Sequence, residues 1–228
     1  GILVSTSCVR ENFPDGGGLQ DGEGWLCLDF GTAPETEVHT KYALDYSFEN
    51  AVTNVYVFLF DASGNKIYGN WLTADMLKGS RNDVLAASDD CWYVNNSSST
   101  GTKTTGTIKI KASNGTGLQL YLLTNLDADM VRLSSDLLAH NVSNKQDLLD
   151  FEVYMNVQSV NRNKTFVMTG MADGLEINGN NFQKDGNIVN ISLKRLDSKV
   201  KVVFKTGSRP DANGQTITSF TPDKWRVV

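Results

Sequence analysis

The chain has 228 residues, 40% hydrophobic and 21% charged, and its 21 basic side chains against 26 acidic ones leave a net charge of −5. With no basic stripe to displace counterions, nucleic acid is excluded as a partner, and the longest apolar run, Val55–Phe60, is far short of the roughly 20 residues a membrane helix needs. Two histidines and three cysteines leave little for metal or nucleophile chemistry, so the sequence reads as a non-enzyme with no metal and no cofactor.

After Gly1 comes Ile2-Leu3-Val4-Ser5-Thr6-Ser7-Cys8, an apolar stretch passing through small residues into a cysteine. This is the pattern of a bacterial lipoprotein signal, in which small side chains admit the peptidase and the thiol accepts diacylglycerol. Cys8 is therefore the expected lipidation site, although Ser5 stands where leucine or a similar residue is usual. An ordinary N-terminal tail with a chance cysteine is the alternative. Gly16-Gly17-Gly18, Asp15, Asp21 and Glu23 follow with little to bury, so residues 1–22 are expected to be a signal remnant and flexible tether. Export implies an oxidising compartment, which makes Cys27 and Cys91 a candidate disulfide, with two free thiols left open as the alternative.

Trp25–Phe30 alternates, placing Leu26, Leu28 and Phe30 on one face and Cys27 with Asp29 on the other. Asn54–Phe60 is apolar on both faces, as in a central strand covered on two sides. Asp61-Ala62-Ser63-Gly64-Asn65 turns it back into Lys66-Ile67-Tyr68, a hairpin with Gly64 at a left-handed position. The oxygens of that turn lack the terminal glutamate of a calcium loop, so a turn is expected. Residues 87–106 are dense in Ser, Thr, Asn and Asp and read as a long surface loop, with Cys91-Trp92-Tyr93 folded back over a sheet edge. Thr107–Lys111 alternates and is expected to form a second hairpin with Leu118–Leu123 through the turn Ser113-Asn114-Gly115-Thr116-Gly117. Ser134–Phe151 carries a rough helical stripe that Ser134 or Ser135 could cap, with a weak middle at Asn141 and Ser143. Period-two segments return at 164–171, 187–196 and 199–205. Seven or more strands with one helix predict an all-β fold, a β-sandwich with antiparallel Greek-key pairing.

His39 and His140 have no motif around them, and the paired carboxylates Asp89-Asp90 and Asp127/Asp129 fit solvated turns. Phosphate loops, nucleophile elbows and C-x-x-C spacings do not occur. Trp71, Trp92 and Tyr93 are the candidates for a glycan-binding surface.

The ordered set of segments resembles the fimbrial subunits of Bacteroidales, the type V pilins, comprising major and minor fimbrilins and their accessory and tip relatives. Cys8 with its linker, Trp25–Phe30, Thr40-Lys41-Tyr42-Ala43-Leu44 and Glu49–Asp61 come in family order. Leu120–Leu126 with its Thr124-Asn125 close, Phe166-Val167-Met168-Thr169-Gly170 and Val189–Val200 follow in the same order. Each motif is loose; their succession over residues 1–205 carries the likeness.

The resemblance implies a transthyretin-like N-terminal sandwich over residues 23–197 and the incomplete start of a second sandwich over 198–228. It implies an exported lipoprotein at the outer membrane and cell surface, held to the membrane only through lipid. It also implies assembly into a fimbrium for cell adhesion, with other fimbrial subunits as partners and a host surface protein or glycan as a further one. In the family a protease cuts after a basic residue beyond the first strand, and a neighbour's strand fills the groove that is bared. Carried over, Lys41 is the processing site, and Leu26, Leu28 and Phe30 are the groove-filling residues of the displaced strand. The sequence departs in offering lysine where the family has arginine, and in breaking off at Val228 with about two strands of the second sandwich. The rival readings are a surface lipoprotein that binds glycan on a similar sandwich, and a secreted hydrolase whose catalytic part lies beyond Val228.

Overall fold

The computed structural model describes residues 18–32, 50–96, 103–126, 142–151, 165–180, 188–196 and 213. Among these the alternating segments form β1 (Glu23–Thr32), β2 (Val55–Phe60), β3 (Lys66–Leu72), β4 (Cys91–Asn95), β5 (Thr105–Ser113), β6 (Gly115–Thr124), β7 (Met168–Ile177) and β8 (Val189–Arg195). Two short helices accompany them, α1 (Arg81–Ala86) and α2 (Lys145–Leu149), with a 3-10 turn at Ala74–Met76. The strands make one mixed eight-stranded sheet in the order β3-β2-β6-β7-β8-β1-β5-β4.

The sheet curls until its ends nearly meet, giving a barrel-like wall around one core. At the seam, the segment after β3 lies along β4: Leu77 bridges to Trp92, Lys78 N–H donates to the Trp92 carbonyl, and the Trp92 indole donates to Thr73 O at 2.7 Å. Leu28, Val57, Ile108, Leu120, Met168 and Ile191 all point into this core from different strands. β2 explains its own composition. Val55, Val57 and Leu59 face the barrel interior, while Tyr56, Phe58 and Phe60 stack on the outer face under Leu126, Val142, Leu148 and Val167. With both faces covered, all six residues are buried, as the sequence pattern predicts. The β2–β3 hairpin also follows the expectation, with Gly64 at φ 87° and the Asp61 carboxylate accepting from Ser63 N–H and Asn65 N–H at 2.8 Å each.

Elsewhere the chain departs from the sequence reading. β5 and β6 are consecutive but do not pair: β5 lies between β1 and β4, and β6 between β2 and β7. Asn114 is a corner rather than a hairpin turn, its N–H donating to Gly22 O and its side-chain oxygen accepting from Gly179 N–H. One pairing is parallel, β1 with β8, against the antiparallel expectation. The polar stretch 87–106 contains strand β4, with Trp92 fully buried. Helix α2 starts only after Asn144, which closes a capping box with Asp147, so the weak point at Ser143 is a helix start. Ser134 and Ser135 lie outside the described residues. α1 was unforeseen, and β7 begins four residues later than the expected 164–171 segment. The chain divides into two units, Gly1–Asp197 and Ser198–Val228, and every element named here belongs to the first.

Candidate functional site

The first strand and the groove that holds it form the candidate site. β1 pairs antiparallel with β5 from Glu23↔Ser113 to Gly31↔Thr105, and parallel with β8 from Leu28↔Val189 to Thr32↔Leu193. The first described strand is thus an interior one, and among the described pairings it is the only link between β8 and β5. Leu26, Leu28 and Phe30 face the core and are at most 3% exposed. They sit among Ile108 and Ile110 of β5 and Ile191 and Leu193 of β8. Each such side chain is worth roughly 2 kcal/mol of burial. The Phe30 ring packs against Gly106, where an added Cβ would stand 2.2 Å from Phe30 Cζ and 2.5 Å from Tyr93 O. Only a residue without a side chain leaves room for that ring.

The opposite face of β1 is also covered. Trp25 and Cys27 are buried with Leu19, Leu85 of α1 and Ile188 packed against them. Ser80 caps α1 by accepting from Asp83 N–H, which fixes Arg81 at the first helical position. From there Arg81 grips Asp29: Nη2 donates to Oδ2 at 2.9 Å, and Nε lies 3.2 Å from Oδ1 and 3.3 Å from Oδ2. Thr107 Oγ1 on β5 donates to the same carboxylate at 2.6 Å. Lys109, between Cys27 and Cys91 in register, lies 4.5 Å from the Trp25 ring centroid and donates to the Leu85 and Ala87 carbonyls. Burial lowers the Lys109 pKa and raises that of Cys91. The Cys27 thiol is pushed up to about 12, chiefly by burial and next by Asp29, so it stays protonated and unreactive.

The disulfide considered between Cys27 and Cys91 is not formed; both are free. Strand β5 lies between them, so their Cα atoms are about two strand spacings, roughly 9.5 Å, apart, against the 7 Å or less a disulfide spans. The glycan-binding candidates do not present an aromatic platform. Trp92 is fully buried, and Trp71 stacks on Tyr56 with ring centroids 5.6 Å apart and its indole nitrogen buried. Tyr93 is half-buried.

A polar clamp fixes the chain where it returns to the sheet. Asn96 Oδ1 accepts from Val52 N–H at 2.9 Å and Asn96 Nδ2 donates to Val52 O at 3.1 Å, imitating a strand partner. Asn125, at φ 62°, accepts from Thr53 N–H and Oγ1 and donates to Ala51 O and Phe166 O. Arg195 holds Asn50 at 2.8 Å. Sequence reasoning noted Thr124-Asn125 only as a family-like close and missed Asn96, because a clamp between residues 44 and 72 positions apart leaves no local pattern. The end of β1 is fixed as well, Thr32 and Thr104 exchanging two hydrogen bonds of 3.0 Å. Lys41 falls between these two fixed points, outside the described residues; Cys8, His39 and His140 are also outside the described residues. Among the described residues there is no group of three or more potential metal ligands and no helix long and apolar enough to cross a membrane.

No protein-family model and no curated protein matches the chain. Among solved structures it is similar to the tip fimbrial protein Mfa3 from Porphyromonas gingivalis with a C-terminal truncation, at TM-score 0.47 and 15% identity. That match covers 76% of this chain and 48% of the other. It is also similar to a fimbrial assembly protein from Parabacteroides distasonis ATCC 8503, at TM-score 0.47 and 16% identity, over 87% of this chain and 61% of that one. These structural matches are Bacteroidales fimbrial proteins, and the chain spans less than two thirds of the length of either.

Proposed function

We propose that the chain is a structural subunit of a cell-surface fimbrium, assembled when β1 is replaced by a strand from a neighbouring subunit. The observation that carries this is the place of β1: first among the described strands, yet interior to the sheet and hydrogen-bonded on both sides. An edge strand such as β3 would leave only a shortened sheet behind. Loss of β1 leaves two unpaired ladders and an apolar trough lined by Ile108, Ile110, Ile191 and Leu193, and burying them again needs another strand. The covalent link from β1 to the elements after it runs through the segment that contains Lys41. One cut there leaves β1 held by non-covalent contacts alone, open to exchange, while the clamp of Asn96, Asn125 and Arg195 keeps the remaining chain in place from Asn50 onward.

On this reading the precursor is lipidated at Cys8 and reaches the outer surface on the tether of residues 1–22. A protease cuts after Lys41, and Leu26, Leu28 and Phe30 leave with the strand. Residues 23–197 act as a transthyretin-like fimbrillin domain and 198–228 as the start of a second sandwich. The assembled fibre serves adhesion. The test is digestion of the folded protein with a lysine-specific protease. Cleavage first and selectively after Lys41, followed by SDS-resistant ladders on mixing with subunits that supply a donor segment, is expected. Equal cleavage at other lysines removes the maturation step, and a cut chain that takes up no strand removes assembly by exchange.

A further inference from the structure

We propose that the groove under β1 selects its occupant by charge as well as by apolar fit. The strand it takes from a neighbouring subunit carries a carboxylate at the position of Asp29, followed directly by a large apolar residue at the position of Phe30. This rests on the removable-strand reading above and adds to it the chemistry of the partner. Where it holds Leu26 and Leu28, the inner face of the groove is lined by aliphatic side chains and discriminates poorly, since any alternation of apolar residues fills it. The outer face does discriminate. Arg81, held at the first turn of α1 by the Ser80 cap, and Thr107 on β5 together direct their donors at one carboxylate. Neither lies on β1, so both stay with the groove when β1 leaves. A neutral residue in that place forfeits charge-assisted hydrogen bonds, and a basic one faces Arg81 directly. The ion pair is half open to solvent, with side-chain exposures of 43% and 30%. Charge here therefore tunes choice and register rather than supplying most of the affinity.

The second marker sits one residue on. Gly106 offers a bare backbone under the Phe30 ring, a site that a small side chain would leave empty. Because a slip of one residue would turn the carboxylate into the core, the two markers together fix a single register. The recognised segment is therefore extended and reads apolar, small, apolar, acidic, large apolar, the small residue standing at the Cys27 position under Leu85.

The experiment uses the full chain cut once between Thr32 and Asn50, at Lys41 or at an inserted protease site, with β1 still bound. Fluorescent peptides of residues 23–32 compete for the groove in the unmodified sequence and with Asp29→Asn, Asp29→Lys or Phe30→Ala. The unmodified peptide is expected to exchange in. Asp29→Asn should bind several-fold more weakly and Asp29→Lys roughly tenfold or more. In an Arg81→Glu host the order of the Asp and Lys peptides should reverse. Asn and Lys peptides that bind within twofold of the unmodified one in the unaltered host overturn the inference, whatever the folding of the Arg81→Glu chain. Failure of the unmodified peptide to enter overturns instead the removable-strand reading on which it rests.

Discussion

Asn125 has a backbone conformation that favours glycine, φ 62°, and is fully buried. Its side chain uses both ends: the oxygen takes two donors from Thr53, and the amide reaches Ala51 O and Phe166 O. Asn125→Gly keeps the backbone geometry and removes all four bonds, so its effect isolates the clamp. Leaving several buried groups unpaired should cost roughly 3 kcal/mol or more, read as a lowered urea midpoint at unchanged slope. A loss below about 1 kcal/mol would show that water replaces the amide. Cys27 gives a pH signature. An exposed cysteine ionises near 9.0, while this thiol holds its proton to about 12. The folded state binds the proton more tightly, so the stabilisation is complete below pH 9 and fades as pH rises toward 12. Cys91 shifts the same way and Lys109 the opposite way. The wild type should therefore lose stability relative to Cys27→Ala as pH rises from 9 to 11, and superimposable profiles would refute the assignment.

At the level of elements, the strands whose residues report burial locally were legible. Val55–Phe60 announced a doubly covered strand, and the alternation of Leu26, Leu28 and Phe30 named the inner face of β1 correctly. Pairing was not legible, because partners are chosen over long separations. Asn114-Gly115 looks like a hairpin turn, yet Asn114 spends its hydrogen bonds on Gly22 and Gly179 and sends β6 to the far half of the sheet. β4 was hidden because Trp92 packs inward from a strand of five residues set in polar surroundings. α1 buries only Val84, too little for a helical stripe; its legible signal was Ser80 with Asp83 three residues on, a capping pattern that passed unread. The candidate site divides in the same way. Its apolar face could be read, but the grip of Arg81 on Asp29 joins residues 52 apart and could not. The hold of β1 can be measured through Cys27, which is buried only while β1 is docked. In a Cys8→Ser background, Leu28→Ala should destabilise by about 2–5 kcal/mol and speed thiol labelling at Cys27 in native buffer. If β1 opens as a unit, Cys91 on β4 should label more slowly than Cys27; equal rates would mean that only global unfolding exposes either.

For the whole molecule, the position of β1 in the strand order sets how the fold fails. Taking β1 from β3-β2-β6-β7-β8-β1-β5-β4 leaves five strands on one side and only β5 with β4 on the other. Five strands with the aromatic layer over Tyr56, Phe58 and Phe60 keep a core of their own, whereas a two-stranded ribbon is marginal in water. What still holds β4 and β5 is the corner at Asn114 and the seam of Trp92 with Thr73, Leu77 and Lys78. β1 also meets its partners late in sequence, β5 beginning at Thr105 and β8 at Val189, so its docking closes the longest loops in the sheet. The chain cut at Lys41 and stripped of β1 should therefore remain folded in its larger part while β4 and β5 loosen. Amide hydrogen exchange checks this: protection in β4 and β5 should fall by roughly tenfold more than in β2 and β6, a difference of about 1.4 kcal/mol. Adding the 23–32 peptide should restore both sets together. Uniform loss across all strands would make β1 part of one indivisible core. A subunit that unfolds as a whole on losing its first strand could not wait, groove open, for a neighbour.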